Sequence, residues 1–219
     1  MTTSSHGDDD RNPRYTEAEA TEILRGALPD IRNPTLRFCG QGSDFCSYAV
    51  NEQRIIRIGI NDESAMRMNW ERQLLPILVQ KLDIGTPDIE HVGETADGAP
   101  FVVYPMIQGD PFNDDIYGSM SPDARGIVAG QLADYLRVLH AIPVEDALSY
   151  GIRERRADDV CREFRDKAKR LIYPELSAEE LATCEGLFER YFAEGHDAYE
   201  PALIHGDLQP RHVLYDRAA

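Results

Sequence analysis

Apolar residues recur along this chain with two different periods. In the first half they form short runs broken by turn residues, and in the second they return three and four positions apart over long stretches. Behind a polar opening, Thr16 and Glu19 have the spacing of a capping box, and Ile23, Leu24, Ala27 and Leu28 give the helix that follows one apolar face. Asn33-Pro34 then interrupts the pattern. Leu36–Cys39, Cys46–Val50 and Arg54–Ile60 read as three strands, linked by Gly40-Gln41-Gly42-Ser43-Asp44 and by Asn51-Glu52-Gln53. A helix capped by Asp62 or Ser64 runs through Glu71, and Pro76 predicts a kink or a restart before Leu82. Pro87–Gly93 and Pro100–Tyr104 read as two more strands joined at Asp97-Gly98. The expectation is an antiparallel sheet of about five strands with one helix inserted after the third.

After Gln108-Gly109-Asp110-Pro111 the period changes. Ser121-Pro122 places an N-cap before a first-turn proline, and Leu132, Leu136 and Leu139 stripe the helix that follows to about His140. Arg156 to Leu171 carries opposite charges four apart, a solvated helix face, and Ser177 with Glu180 caps a helix reaching Glu194. Ala202-Leu203-Ile204 reads as a short buried strand. The class is α+β, with a disordered leader over 1–13, a sheet lobe over 14–107 and a mainly helical lobe over 108–219.

Charge narrows the partners. Thirty-nine acidic against twenty-three basic residues leave a net charge of −16, which repels nucleic-acid backbones and anionic membranes and attracts a small polycation. No apolar run approaches the roughly 18–20 residues of a membrane span, and the opening lacks the basic and apolar regions of a signal peptide, so a cytoplasmic protein is expected. Cys39, Cys46, Cys161 and Cys184 fit neither a zinc ribbon nor a CxxC pair and read as buried small hydrophobes.

The densest chemistry lies in Leu203-Ile204-His205-Gly206-Asp207-Leu208-Gln209-Pro210-Arg211-His212-Val213-Leu214-Tyr215-Asp216. An apolar run delivers a His-x-Asp into a loop, and Asp207 and His212 are five apart, the spacing of the catalytic Asp and the metal-binding Asn in a kinase loop. A hydroxyl nucleophile needs a carboxylate to orient it and take its proton, and the metal on a triphosphate needs a ligand one loop-length away. Upstream, a glycine turn containing Gly42 and Ser43 lies between two strands, where backbone amides can approach phosphate, although a plain hairpin turn has the same composition. Arg57 interrupts an apolar strand where a kinase keeps its phosphate-binding lysine, and Glu71 on the next helix stands where the ion-pair partner belongs.

In this order the segments GQGSDFCSYAV, RIIRIGI, NWERQLLPIL, FVVYPMIQGDPF and LIHGDLQPRHVLYD resemble the aminoglycoside phosphotransferase family, antibiotic kinases with the protein-kinase fold. They are most similar to the branch that phosphorylates the 2″-hydroxyl, over roughly residues 16 to 216. The resemblance implies Asp207 as catalytic base, His205 as brace of the catalytic loop and His212 as the metal ligand in place of asparagine. It further implies Arg57 and Glu71 as the triphosphate-side ion pair, Gly42 and Ser43 over the phosphates, and Tyr104 to Ile107, Met106 among them, as the hinge whose backbone bonds the purine. Mg²⁺ with ATP or GTP is then the expected cofactor set, a small cationic molecule the acceptor, and a monomer or weak dimer the expected state. Asp110, Asp114, Asp115, Asp158 and Asp159 are candidates for holding the cation, against the plainer reading of solvated surface acids.

One departure stands out. The family continues past the strand after the catalytic loop into a segment carrying a second metal-binding aspartate, and Asp216 is too near Asp207 to replace it. The expectation is a kinase incomplete at its C-terminus. Alternative readings are a macrolide, homoserine, choline or fructosamine kinase with the same loop, a binder of nucleotide or antibiotic that does not turn over, and a phosphohydrolase using His205, Asp207 and His212 as metal ligands.

Overall fold

A computed structural model describes residues 12–194 and 200–217. Most of the leader expected to be disordered, residues 1–11, lies outside the described residues. The chain divides into two compact units, Met1–Ala141 with Ile204–Ala219, and Ile142–Leu203.

In the first unit, α1 (Glu17–Ala27) opens with the expected capping box, Thr16 bonding the Glu19 amide while Glu19 reaches back. Strands β1 (Leu36–Gln41), β2 (Phe45–Val50), β3 (Arg54–Gly59), β4 (His91–Glu94) and β5 (Pro100–Pro105) follow, with α2 (Asp62–Lys81) between β3 and β4. They form one antiparallel sheet in the order β1-β2-β3-β5-β4. The two-residue side-chain period splits it into faces. Tyr48, Ile56, Ile58, Phe101 and Val103 bury one face with Leu24 and Ala20 of α1. Each large apolar side chain so buried contributes about 1.5–3 kcal/mol. The Tyr48 hydroxyl donates to the Tyr15 carbonyl, tying the segment before α1 to β2.

Three expectations need correction here. Helix α2 runs on through Pro76 to Lys81 with no restart: proline removes only its own bond to the preceding turn, and α2 packs on β5 and on α4 (Pro122–His140). Its cap is Asn61, with Ser64 the reciprocal partner, rather than Asp62. The strand expected over Pro87–Gly93 is shorter and later, His91–Glu94, since Pro87 has no N–H to donate to a ladder.

Beyond the sheet, β6 (Asp110–Pro111) pairs with β7 (Leu214–Tyr215), and the six-residue α3 (Asp114–Ser119) precedes α4, which starts on the expected Ser121-Pro122 signal. The second unit comprises α5 (Val144–Ser149), α6 (Ala157–Leu171) and α7 (Ala178–Glu194). Arg165 and Lys169 of α6 both pair with Glu185 of α7, and Ser177 and Glu180 form the expected capping contacts. Among the described residues no helix is long and apolar enough to cross a membrane. Cys46 is buried and Cys161 and Cys184 half-buried, but Cys39 is exposed, because it lies on the sheet face away from the α1 core.

Candidate active site

Alternation along β3 sends Ile56 and Ile58 into the α1 core and leaves Arg57 to the opposite face. There the guanidinium makes a fork with Glu71 of α2, Nη1 to Oε2 at 2.8 Å and Nη2 to Oε1 at 3.0 Å. Its Cζ also lies 4.0 Å from the centroid of the Phe45 ring. The sequence-predicted pair is thus brought together, in the bidentate geometry that arginine makes and lysine cannot. Burial disfavours the Arg57 charge, but Glu71 and Tyr104 outweigh it and hold the guanidinium above the ordinary arginine range. Tyr104, near the end of β5, has its hydroxyl pushed up by burial and partly pulled back by Arg57.

The glycine segment between β1 and β2 is a tight turn. Gly40 has φ +133°, a conformation for which L side chains are strained, and it follows an irregularity in the β1–β2 register. The Gly42 amide donates to the Phe45 carbonyl at 3.0 Å and closes the turn. Gly42 and Ser43 are exposed at its tip. Elsewhere in the same sheet, the Met106 amide donates to the Gln53 carbonyl at 2.8 Å, prolonging the β3–β5 pairing into the segment read as a hinge.

The catalytic-loop candidates come together in 204–216. Gly206 turns at φ +79°. The Asp207 amide donates to His205 Nδ1 at 3.3 Å, and His212 Nδ1 lies 2.7 Å from the Asp207 carbonyl, so two imidazoles brace the backbone of one residue. A neutral His205 with its proton on Nε2 satisfies the first bond. Loss of hydration lowers the His205 pKa, and His212 lowers it further against the pull of Asp207. The His205 ring centroid lies 6.3 Å from that of Tyr135 of α4 and 6.1 Å from that of His212. The exposed Asp207 carboxylate accepts from Gln209 through Oδ1. A 3₁₀ turn over Pro210–His212 leads to β7, where the Phe112 amide donates to the Val213 carbonyl at 2.8 Å and Phe112 meets Tyr215 edge-on.

Residues 202–204 are not a strand. Ile204 is 66% exposed, and no strand pairs with it among the described residues, so the apolar run had no ladder to join. Among the described residues no three His, Cys, Asp or Glu side chains converge as a metal site, which removes the geometric basis of the phosphohydrolase reading.

Sequence reasoning missed three participants. Phe45 under Arg57 carried no signal beyond its place two residues after Ser43. Gln209 reads as an ordinary loop residue. The third group, Asn61, Ser64 and Arg67, holds the glycine turn; an Asn three residues ahead of a Ser at a helix start was its only trace.

The family model described as "phosphotransferase enzyme family" matches residues 35–219. The chain is similar to the structure of the GDP and kanamycin complex of APH(2″)-IIIa, at 29% identity and TM-score 0.83, covering 91% of this chain and 68% of that one. It is likewise similar to the GDP complex of wild-type aminoglycoside 2′-phosphotransferase-IIIa, at 28% identity and TM-score 0.84, covering 94% and 69%. The apoenzyme of macrolide 2′-phosphotransferase MphH from Brachybacterium faecium shares the fold, at 23% identity and TM-score 0.59, covering 91% and 68%. With the family model spanning most of the chain and the five-stranded, kinase-like sheet in place, this protein belongs to the phosphotransferase enzyme family.

Proposed function

We propose that this protein transfers the γ-phosphoryl group of ATP or GTP to a hydroxyl of an aminoglycoside in the cytoplasm. Residues 14–107 would serve as the nucleotide lobe and 108–219 as the acceptor lobe. The observation that carries the reading is the Asp207 loop. Its carboxylate is exposed while both ends of its peptide are braced by His205 and His212. A carboxylate so placed orients an acceptor hydroxyl through Oδ2, while Gln209 holds Oδ1. Arg57 has five N–H donors, and the Glu71 fork uses two of them while fixing the plane of the others for the triphosphate. The GDP named with relatives 28–29% identical supports a guanine nucleotide as donor, and the kanamycin named with one supports an aminoglycoside acceptor, to which the −16 charge is complementary.

Magnesium fits this donor set in part. Mg²⁺ is ordinarily held by one or two protein groups and by substrate phosphates. His212 has Nδ1 committed to the Asp207 carbonyl, which would leave Nε2 as its ligating atom. When bound, the ion would neutralise charge developing on the phosphoryl oxygens. Holding the loop, orienting the hydroxyl and accepting its proton remain tasks of His205, His212 and Asp207.

The test is mass spectrometry of an aminoglycoside panel incubated with the full chain, Mg²⁺ and ATP or GTP. The expected result is an acceptor heavier by one phosphoryl group, abolished by Asp207→Ala with the thermal midpoint unchanged, since Asp207 is exposed. No product alongside measurable GDP binding would overturn transfer and leave a nucleotide binder.

A further inference from the structure

We infer that Asn61, Ser64 and Arg67, at the start of α2, are positioning residues that latch the Gly42–Asp44 turn and aim the Asp44 amide at the donor phosphates. The inference rests on the nucleotide reading above and assigns roles to residues that reading does not use. Turn tips with exposed glycine and serine are ordinarily the loosest parts of a hairpin. This one is tied down at four atoms. Asn61 Nδ2 donates to the Ser43 carbonyl at 2.7 Å and to Asp44 Oδ1 at 3.3 Å. Ser64 Oγ donates to the Asp44 carbonyl at 2.6 Å, which also takes the Ile60 amide at 3.0 Å. Arg67 Nε lies 3.3 Å from Asp44 Oδ2.

The consequence follows from peptide planarity. In a trans peptide the C=O and the next N–H point in opposite directions. Holding the Ser43 carbonyl against α2 therefore aims the Asp44 N–H away from α2. A preorganised amide binds phosphate without first losing the freedom of a loose loop. The same helix face carries Glu71, one turn beyond Arg67 and two beyond Ser64, so one rigid element sets both the turn and the Arg57 fork. Gly59 makes the close approach possible: a Cβ there would lie 2.6 Å from the Ser64 Cβ.

Asn61 also caps α2, its Oδ1 accepting the Glu63 and Ser64 amides, each at 3.0 Å. The variant that separates the two roles is Asn61→Asp. Aspartate caps as well as asparagine, but it has no N–H for the Ser43 carbonyl and sets a second carboxylate against Asp44. The full chain, its Asn61→Asp variant and a Thr16→Ala variant that loses the α1 cap would be compared by thermal melting, hydrogen exchange of the 42–45 segment, and titration with GDP and Mg²⁺. For Asn61→Asp we expect the melting midpoint to fall no further than in Thr16→Ala, faster exchange confined to 42–45, and GDP binding weaker by about tenfold, the scale of losing such bonds. Asn61→Asp/Asp44→Asn, which returns an amide–carboxylate pair to these positions, should recover part of the affinity. Thr16→Ala should lower the melting midpoint and leave GDP binding alone. Faster exchange with unchanged GDP affinity would overturn the positioning role while leaving nucleotide binding intact. Weaker binding with unchanged exchange would overturn the latch. Absence of GDP binding by the unaltered chain would remove the nucleotide reading and this inference with it.

Discussion

Replacing Glu71 by glutamine is the sharpest probe of the strand–helix ion pair. The amide keeps the shape of the carboxylate but has no charge, and it can accept only through its one oxygen, so the fork at 2.8 and 3.0 Å becomes a single neutral-acceptor bond. A hydrogen bond to a charged partner is worth about 1.5–3 kcal/mol net. The pair is partly open, with side chains 21% and 32% exposed, so its value falls toward the low end and below the roughly 4 kcal/mol of two charges 4 Å apart at an effective dielectric of 20. The Phe45 ring continues to hold the guanidinium, retaining about 1 kcal/mol of cation–π attraction. The net expectation is a loss of about 2 kcal/mol, which for a chain of this size lowers the melting midpoint by about 4–8 °C. GDP affinity should fall as well, since Arg57 then has one anchor in place of two. A double-mutant cycle with Arg57→Met isolates the pair, and a coupling of about 2 kcal/mol is expected. A coupling below about 0.5 kcal/mol would refute the reasoning, because the two side chains would then be independent despite their geometry.

Other consequences can be measured directly. Gly59→Ala should destabilise by about 1–3 kcal/mol in chemical denaturation, since the new methyl meets the Ser64 Cβ and α2 must shift. A thiol reagent should modify exposed Cys39 first, with buried Cys46, whose thiol is pushed up by burial, resisting until unfolding; peptide mapping reads the order. His205 has a folded pKa below its unfolded value of about 6.5. The unfolded chain therefore binds the extra proton first, and stability should decline as pH falls below about 6.5 toward the folded pKa. His205→Gln should flatten that part of a melting-versus-pH profile.

Local signals were legible wherever one or two residues decide the outcome. Thr16 with Glu19, Ser177 with Glu180, and Ser121 before Pro122 each mark a helix start through bonds made within one turn. The Arg57–Glu71 pair was readable because a charge in an apolar strand requires a partner and the next helix supplies one. Where the outcome depended on distant neighbours, the reading failed. Pro76 forbids one bond, but nothing nearby in sequence reveals that the helix packs on β5 and α4 and runs on past it to Lys81. Ala202-Leu203-Ile204 has the composition of a strand, and only pairing decides whether a strand exists. Phe45 beneath Arg57 is likewise a product of the β2–β3 register, in which the two residues are not direct partners.

The short ladder between Asp110–Pro111 and Leu214–Tyr215 has a kinetic consequence. Its strands meet across about a hundred residues of chain, and closing such a loop costs about 2.5 kcal/mol more in entropy than closing a six-residue hairpin. A two-residue pairing, the Phe112 amide, the Phe112–Tyr215 ring edge and the Arg217–Asp110 ion pair oppose that cost. During synthesis, the sheet can collapse on α1 long before Tyr215 emerges, so the segment bearing Asp207 docks onto a scaffold already formed. It is also the joint expected to open first under heat or denaturant, so that the His205–His212 loop would loosen before the sheet begins to unfold.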